Sequence, residues 1–155
     1  MNPKLISKVY LAGPLEGRSM DEKFIWRDYA TKYLSKFDIE TYNPGEDTTL
    51  CDADTIVKLD YMMIDNSEAL LVNLTCLGED QPTNSGTLIE IGYAKARGKL
   101  IVGWSDVDWQ RENRFLRGNV KPIFFKSFSL PSSYMGALEY IASFNDRKRC
   151  FKHGQ

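Results

Sequence analysis

The chain has 155 residues, and 20 Lys and Arg against 21 Asp and Glu give it a formal net charge of -1 at pH 7. A chain of about this length buries roughly 70% of its unfolded surface, so it can fold without disulfides or a structural metal. The near-neutral charge, with a pI of about 5.9, argues against a binder of nucleic acid polymers or membrane surfaces, because such proteins need a basic excess.

The apolar runs of the sequence are short. The opening MNPKLISKVYLAG is basic but too brief in its apolar part for a secretory signal, and no run approaches the roughly 18 apolar residues that span a bilayer. We therefore expect a cytoplasmic protein without membrane contact. No repeat or Pro/Gly-rich linker divides the chain, which predicts a single domain over residues 1–155.

The first half of the chain alternates between strand and helix signals. Residues 8–13 form an apolar run that ends in Gly13-Pro14, which is typical of a buried strand entering a turn. Ser19 and Glu22 have the spacing of a capping box, which predicts a helix that carries Phe24, Ile25, Tyr29, Tyr33 and Leu34. A short strand over 39–42 and a helix over about 53–66 follow.

The second half continues the alternation. Strands are predicted over residues 69–74, 99–104 and 122–128, and helices over about 85–97, where Gly98 provides the stop, and 132–144. Because the strands are continuous apolar runs separated by helices, the sequence predicts an α/β fold: an open, mostly parallel five-stranded sheet with helices on both faces, as in flavodoxin-like and Rossmann-like proteins. Ligands of such sheets bind beyond the carboxyl ends of the strands.

The sequence contains few of the residues on which metal and cofactor sites depend. It has neither G-x-x-x-x-G-K-[ST] nor G-x-G-x-x-G, so no nucleotide-cofactor motif is present. Its one histidine, His153, lies near the C-terminus, and Cys51, Cys76 and Cys150 are widely spaced. We therefore expect no metal and no organic cofactor, and we expect any catalysis to depend on carboxylates.

Glu90 is the strongest candidate for a catalytic carboxylate. Asn84 or Ser85 can cap the predicted helix, and its first N–H groups then face the cleft. At helical spacing Glu90 lies on one face between Gly86 and Ala94, two small residues that leave room for a pocket. The alternative interpretation is a glutamate placed near a helix N-terminus because the helix dipole favours it.

Asp60 and Tyr10 are the next candidates. Asp60 lies four residues from both Ile56 and Ile64, within the apolar stripe of its helix, where an unpaired charge is costly. In another helix register it lies at the edge of the stripe and reaches water. Tyr10 precedes Gly13 in the first strand, and its hydroxyl is either a core group at the rim or a partner for a carboxylate in the cleft.

Asp65 and Glu68 look exposed and receive no role. Trp26, Trp104 and Trp109 are expected in the core or an interface, and Arg111, Arg114 and Arg117 are expected on a charged helical face or loop.

Three motifs in this order and spacing resemble the nucleoside 2-deoxyribosyltransferase family, which includes related nucleoside 5'-monophosphate N-glycosidases. They are Tyr10-Leu11-Ala12-Gly13-Pro14, then Asp60-x-x-x-Ile64-x-x-Ser67-Glu68, then Asn84-x-Gly86-x-x-x-Glu90-x-Gly92-Tyr93-Ala94 with Gly98-Lys99. The resemblance implies that Glu90 is the nucleophile at the anomeric carbon, that Tyr10 orients this carboxylate, and that Asp60 lies near the base or sugar. The expected substrate-binding residues are Gly13, Pro14, Asn84, Ser85 and Gly86.

The resemblance leaves several functions open. The first is transfer of a deoxyribosyl group from a nucleoside to a free nucleobase. The second is hydrolysis of a nucleoside 5'-monophosphate or modified nucleotide, and the third is a phosphoribohydrolase of the cytokinin-activating type. The fourth is a non-catalytic nucleotide-binding module. A homo-oligomer is expected because the family builds its sites between subunits.

Overall fold

The computed structural model describes residues 5–15, 19–45, 51–75, 85–106, 113–125 and 133–152, with the side chains of residues 147–152 left out. The strands in these residues are β1 Lys8–Ala12, β2 Glu40–Tyr42, β3 Ala69–Asn73, β4 Leu100–Ser105 and β5 Ile123–Phe125. The helices are α1 Met20–Ser35, α2 Ala53–Asp65, α3 Ser85–Ala96, α4 Arg114–Asn119 and α5 Ser133–Lys152.

The five strands form one sheet in the order β2-β1-β3-β4-β5, and each pair of neighbours is parallel. Tyr10 of β1 is in register with Tyr42 of β2 and with Leu70 of β3. The carboxyl ends of the strands therefore meet at one edge of the sheet. This architecture confirms the predicted open α/β fold.

The two faces of the sheet pack against different helices. Because successive side chains of a strand point to opposite faces, Val9 and Leu11 pack with residues of α1 and α5. Tyr10 and Ala12 point the other way, into a core shared with α2, α3 and α4. The side chain of Tyr10 is thus directed toward the helices that carry the candidate carboxylates.

The predicted capping box at the start of α1 is confirmed. The Ser19 hydroxyl accepts from the Glu22 N–H at 3.2 Å, and the Glu22 carboxylate accepts from the Ser19 N–H at 2.9 Å. The buried residues of the helix are Trp26, Arg27, Ala30 and Leu34. Ile25 and Tyr29, in contrast, are exposed.

A clamp on the outer side of the molecule ties α2 to α3. The rings of Tyr61 and Tyr93 stack with their centroids 3.9 Å apart. The Asp65 carboxylate accepts from the Tyr93 hydroxyl at 2.9 Å and from Arg97 Nε at 2.7 Å. The prediction that Asp65 looks exposed is therefore wrong: it is partly buried and paired.

Glu68 also differs from its prediction as an exposed residue without a role. Its Oε2 accepts from the N–H groups of Ser7 and Lys8, both at 2.8 Å, and from the Ser7 hydroxyl at 2.9 Å. These bonds satisfy the backbone at the start of β1, so the partly buried carboxylate fixes the strand entry.

The C-terminal part departs from the predicted bounds. Arg114 and Arg117, expected on a charged helical face or loop, lie on the helix α4, which was not among the predicted elements and whose N-cap Asn113 accepts from the Leu116 N–H at 3.1 Å. The last helix continues well beyond residue 144, where Asn145 bonds both backbone groups of Ile6. None of the helices in the described ranges combines the length and apolar character needed to cross a membrane.

Candidate active site

A cavity of about 280 Å³ lies at the carboxyl edge of the sheet, between the end of β1 and the helices α2 and α3. Ligand pockets typically measure roughly 300–1,000 Å³, so this cavity is at the small end of that range. Its lining includes Gly13, Pro14, Leu15, Ile56, Asp60, Ser85, Gly86, Thr87, Ile89 and Glu90. The structure thus brings together six of the residues that the sequence singled out for the site.

A short hydrogen bond joins Tyr10 to Glu90 beside this cavity. The Tyr10 hydroxyl donates to Glu90 Oε1 at 2.6 Å, across 80 residues of sequence. Tyr10 is fully buried in the central part of the sheet. A hydrogen bond to a carboxylate is stronger than one between two neutral groups. The bond from Tyr10 on β1 therefore fixes the orientation of a carboxyl group that α3 carries.

The pKa of Glu90 is raised to about 7, and the largest cause is burial. The nearby charge of Asp60 raises it further, while the hydrogen bond from Tyr10 and the positive charge of Arg27 lower it. Near neutral pH the carboxyl group is therefore divided between its ionised and neutral forms. A carboxylate poised in this way can act as a nucleophile or exchange a proton.

Burial and two neighbouring carboxylates raise the pKa of Tyr10 above its usual range. Its hydroxyl therefore keeps its proton and remains a donor at physiological pH. Asp60, on α2, is partly buried, and burial raises its pKa as well, against the effect of a hydrogen-bonding interaction with Tyr10. One phenol thus lies between two carboxyl groups with perturbed pKa values, an arrangement that is enriched at functional sites.

The first turn of α3 leaves the cavity open. A Cβ added at Gly86 would meet no atom within 4 Å, so the space above Glu90 is unfilled. Ser85 is the first residue of the helix and is exposed. Asn84, the other proposed capping residue, lies outside the described residues.

A second cavity, of about 350 Å³, adjoins the first and shares Asp60 with it. It is lined by residues after β2, namely Asn43, Pro44 and Gly45, and by side chains of α1 and α2. Asp60 therefore lines both cavities. Within the described ranges no three His, Cys, Asp or Glu side chains are grouped as a metal site requires.

Arg27 is the residue of this region that the sequence analysis missed. It is completely buried on α1, and its Nη2 donates to the carbonyl of Gly13 at 2.9 Å. Its Nη1 donates to the Lys23 carbonyl, and its guanidinium carbon lies 4.5 Å from the Trp26 ring centroid. The spacing of Arg27 from the buried Ala30 is the signal that places it on the inner face of the helix.

One protein family matches most of this chain. A family model described as nucleoside 2-deoxyribosyltransferase matches residues 9–135, a range that contains Tyr10, Asp60 and Glu90. No curated protein matches the sequence.

Solved structures share the fold. A CMP N-glycosidase from Clostridium botulinum is 20% identical, with a TM-score of 0.59 over 88% of this chain and 98% of its own. A 2-deoxyribosyltransferase from Leishmania mexicana is 19% identical, with a TM-score of 0.66 over 88% of this chain and 97% of its own. A conserved protein from Enterococcus faecalis is 16% identical, with a TM-score of 0.56 over 92% and 99%. At these identities the likeness establishes the fold alone.

Proposed function

The chain belongs to the nucleoside 2-deoxyribosyltransferase family of enzymes, and from this premise we propose that it cleaves the N-glycosidic bond of a deoxyribonucleoside and transfers the sugar to another nucleobase. The observation that carries the proposal is the 2.6 Å hydrogen bond from Tyr10 to Glu90, next to a cavity that Asp60 also lines. These are the groups that a double displacement at the anomeric carbon requires.

In the first step the Glu90 carboxylate attacks C1' of the sugar. A bond forms from C1' to a carboxylate oxygen, the C1'–N bond breaks, and its electron pair leaves with the base. The base takes a proton as it departs, and Asp60, whose pKa burial raises, is the carboxyl group suited to supply it. The product is a glycosyl ester on Glu90.

In the second step a nitrogen of the incoming base attacks C1' of this ester. The new C1'–N bond forms as the C1'–O bond breaks, which returns Glu90 to its carboxylate form, and the proton lost by the incoming base returns to Asp60. Two displacements on one carbon restore the original configuration of the sugar. Tyr10 donates to Glu90 throughout, which stabilises the free carboxylate in a partly buried position.

Hydrolysis is the alternative outcome of the same intermediate. Gly86 leaves open space above Glu90, and Ser85 at the helix start is exposed, so the cavity admits water to C1'. Similarity to a CMP N-glycosidase supports a nucleoside 5'-monophosphate or a modified nucleotide as the substrate in that case. Transferase and hydrolase then differ only in which nucleophile reaches the ester first.

Chromatography of products tests the proposal. The purified protein is incubated with deoxynucleosides and their 5'-monophosphates, with and without a free acceptor base, beside Glu90→Gln. Glu139→Gln, which removes an exposed carboxylate on α5, is the matched control and should retain full activity.

The products decide between the functions. New nucleosides that form only with acceptor establish the transferase, whereas free base and sugar without acceptor establish the hydrolase. Equal turnover by wild type and Glu90→Gln removes Glu90 as the nucleophile. Binding of substrates without turnover favours a non-catalytic nucleotide-binding module.

We also propose a cytoplasmic homo-oligomer. Ile89 lines the cavity and is 57% exposed, and Phe115 on α4 is 77% exposed. Large exposed apolar side chains are suited to contact with a second copy of the chain. Light scattering of the purified protein measures the number of subunits, and a monomer at micromolar concentration would exclude this assembly.

A further inference from the structure

A buried arginine without a carboxylate partner needs a physical explanation. Arg27 is fully buried, yet no Asp or Glu oxygen lies within 4 Å of it in the described part of the chain. Its Nη atoms bond to two backbone carbonyls, and its Nε has no partner among the described residues. A buried charge is stable only when other groups compensate for its lost hydration.

The lack of a side chain at Gly13 allows the Arg27 guanidinium to lie close to the site. A Cβ there would lie 2.9 Å from Trp26 Cζ2 and 3.4 Å from Arg27 Nη2. The absence of a side chain at residue 13 therefore lets α1, which packs on one face of the sheet, place its guanidinium at the sheet edge. Gly13 also lines the cavity that contains Glu90, which is carried by α3 on the opposite face.

The charged and titratable groups that act on Glu90 come from three elements. Tyr10 of β1 donates a hydrogen bond, Asp60 of α2 adds a like charge when it is ionised, and Arg27 of α1 adds an opposite charge. The Glu90 charge in turn acts on Arg27 and favours its protonated form. The pKa of Arg27 is lowered to about 10 by burial, so the guanidinium stays charged at neutral pH.

We propose that Arg27 is a positioning residue of this site: anchored to the Gly13 carbonyl beyond the end of β1, its buried guanidinium supplies a positive field that favours the ionised form of Glu90. This inference rests on the proposed function for the reaction that it serves. Asp60 and desolvation oppose ionisation of Glu90, and Arg27 is the cation that acts against them. The competing interpretation is a purely structural arginine that ties α1 to β1.

NMR titration separates these interpretations without any substrate. In protein labelled with ¹³C at the glutamate side-chain carboxyl, the Glu90 signal, assigned by its loss in Glu90→Gln, is followed against pH. The variant Arg27→Gln keeps an amide donor for a carbonyl but removes the charge, and Arg27→Lys keeps the charge. Lys32→Met, which removes an exposed charge from the same helix, is the matched control.

We expect the midpoint of Glu90 to move upward by about half a pH unit or more in Arg27→Gln and to stay near its wild-type value in Arg27→Lys and Lys32→Met. Where turnover is measurable, the acidic limb of kcat/KM should move by the same amount, which lowers kcat/KM by about threefold below the midpoint. A folded Arg27→Gln with an unmoved Glu90 midpoint would overturn the proposal.

A measurement on wild-type protein covers the case in which neutral variants do not fold. The buried Nε–H of Arg27 should give a ¹⁵N signal whose chemical shift changes with the midpoint of Glu90, and this change should vanish in Glu90→Gln. A signal that does not respond to pH near that midpoint refutes the coupling. If the coupling is found and the chromatography shows no turnover, the proposed function fails while the electrostatic assignment stands.

Discussion

Replacement of Glu90 by glutamine should stabilise the protein at alkaline pH. The pKa of this carboxyl rises from 4.5 in an unfolded chain to about 7 in the fold. Between these values the folded state binds the proton more tightly than the unfolded state, so the stability contributed by Glu90 falls as pH rises through this window. Each pKa unit corresponds to about 1.4 kcal/mol, so the ionised carboxylate costs the fold about 3–4 kcal/mol well above neutral pH.

Glutamine resembles the protonated carboxyl and keeps an acceptor for the Tyr10 hydroxyl. Urea denaturation of wild type and Glu90→Gln at about pH 5 and about pH 8.5 measures most of this penalty. The stability gained by the variant at pH 8.5 should exceed the gain at pH 5 by about 2–3 kcal/mol. We expect Glu90→Gln to be within about 1 kcal/mol of wild type at the lower pH and about 3–4 kcal/mol more stable at the higher pH. Glu139→Gln, at an exposed position, should change the stability equally at both values.

A gain that is the same at both pH values would refute the electrostatic reasoning, since a packing effect does not depend on protonation. A loss of stability at the higher pH would mean that Tyr10 and Arg27 outweigh burial, and that the pKa of Glu90 lies below that of a free glutamate. Both outcomes can be measured whether or not the protein turns over a nucleoside, because the assay follows unfolding and not activity.

Three further changes test other contacts. Tyr10→Phe removes the donor to Glu90, so the acidic limb of kcat/KM should move to higher pH and activity should fall by about tenfold or more, while circular dichroism stays unchanged. Gly13→Ala places a methyl group 2.9 Å from Trp26, and thermal unfolding should show a loss of about 1–3 kcal/mol with reduced substrate binding. Asn145→Ala removes bonds to one N–H and two carbonyls, and the urea midpoint should fall by about 2 kcal/mol with kcat unchanged.

The architecture could be predicted because its signals are local. The capping box at Ser19, the apolar runs of the strands and the stop at Gly98, which adopts φ +69°, each require only a few neighbouring residues. Glu90 was predicted for a similar reason, since two small residues one turn away on either side of it mark an unfilled helix face. Such patterns depend only on residues that are close together in the sequence, so they can be recognised without knowledge of the rest of the fold.

Features that depend on distant parts of the chain were missed. The compensation of Arg27 comes from the Gly13 carbonyl and from Glu90 on another helix, so no pattern of neighbouring residues marked this buried charge. Asp65 and Glu68 looked exposed for the same reason, because their partners are remote in sequence. The parallel pairing of the strands, by contrast, could be predicted from the alternation of strands and helices alone.

The clamp between α2 and α3 holds these two helices together. Tyr61 directly follows Asp60, and Tyr93 lies less than one turn after Glu90. The stacked rings therefore join the two helices close to the residues that carry the two carboxyl groups. Opening of this pair would have to break the ring stack and the Asp65 bonds together. Local unfolding that separates α2 from α3 is therefore expected to be cooperative, because the helices that carry Asp60 and Glu90 are tied by these contacts outside the cavity.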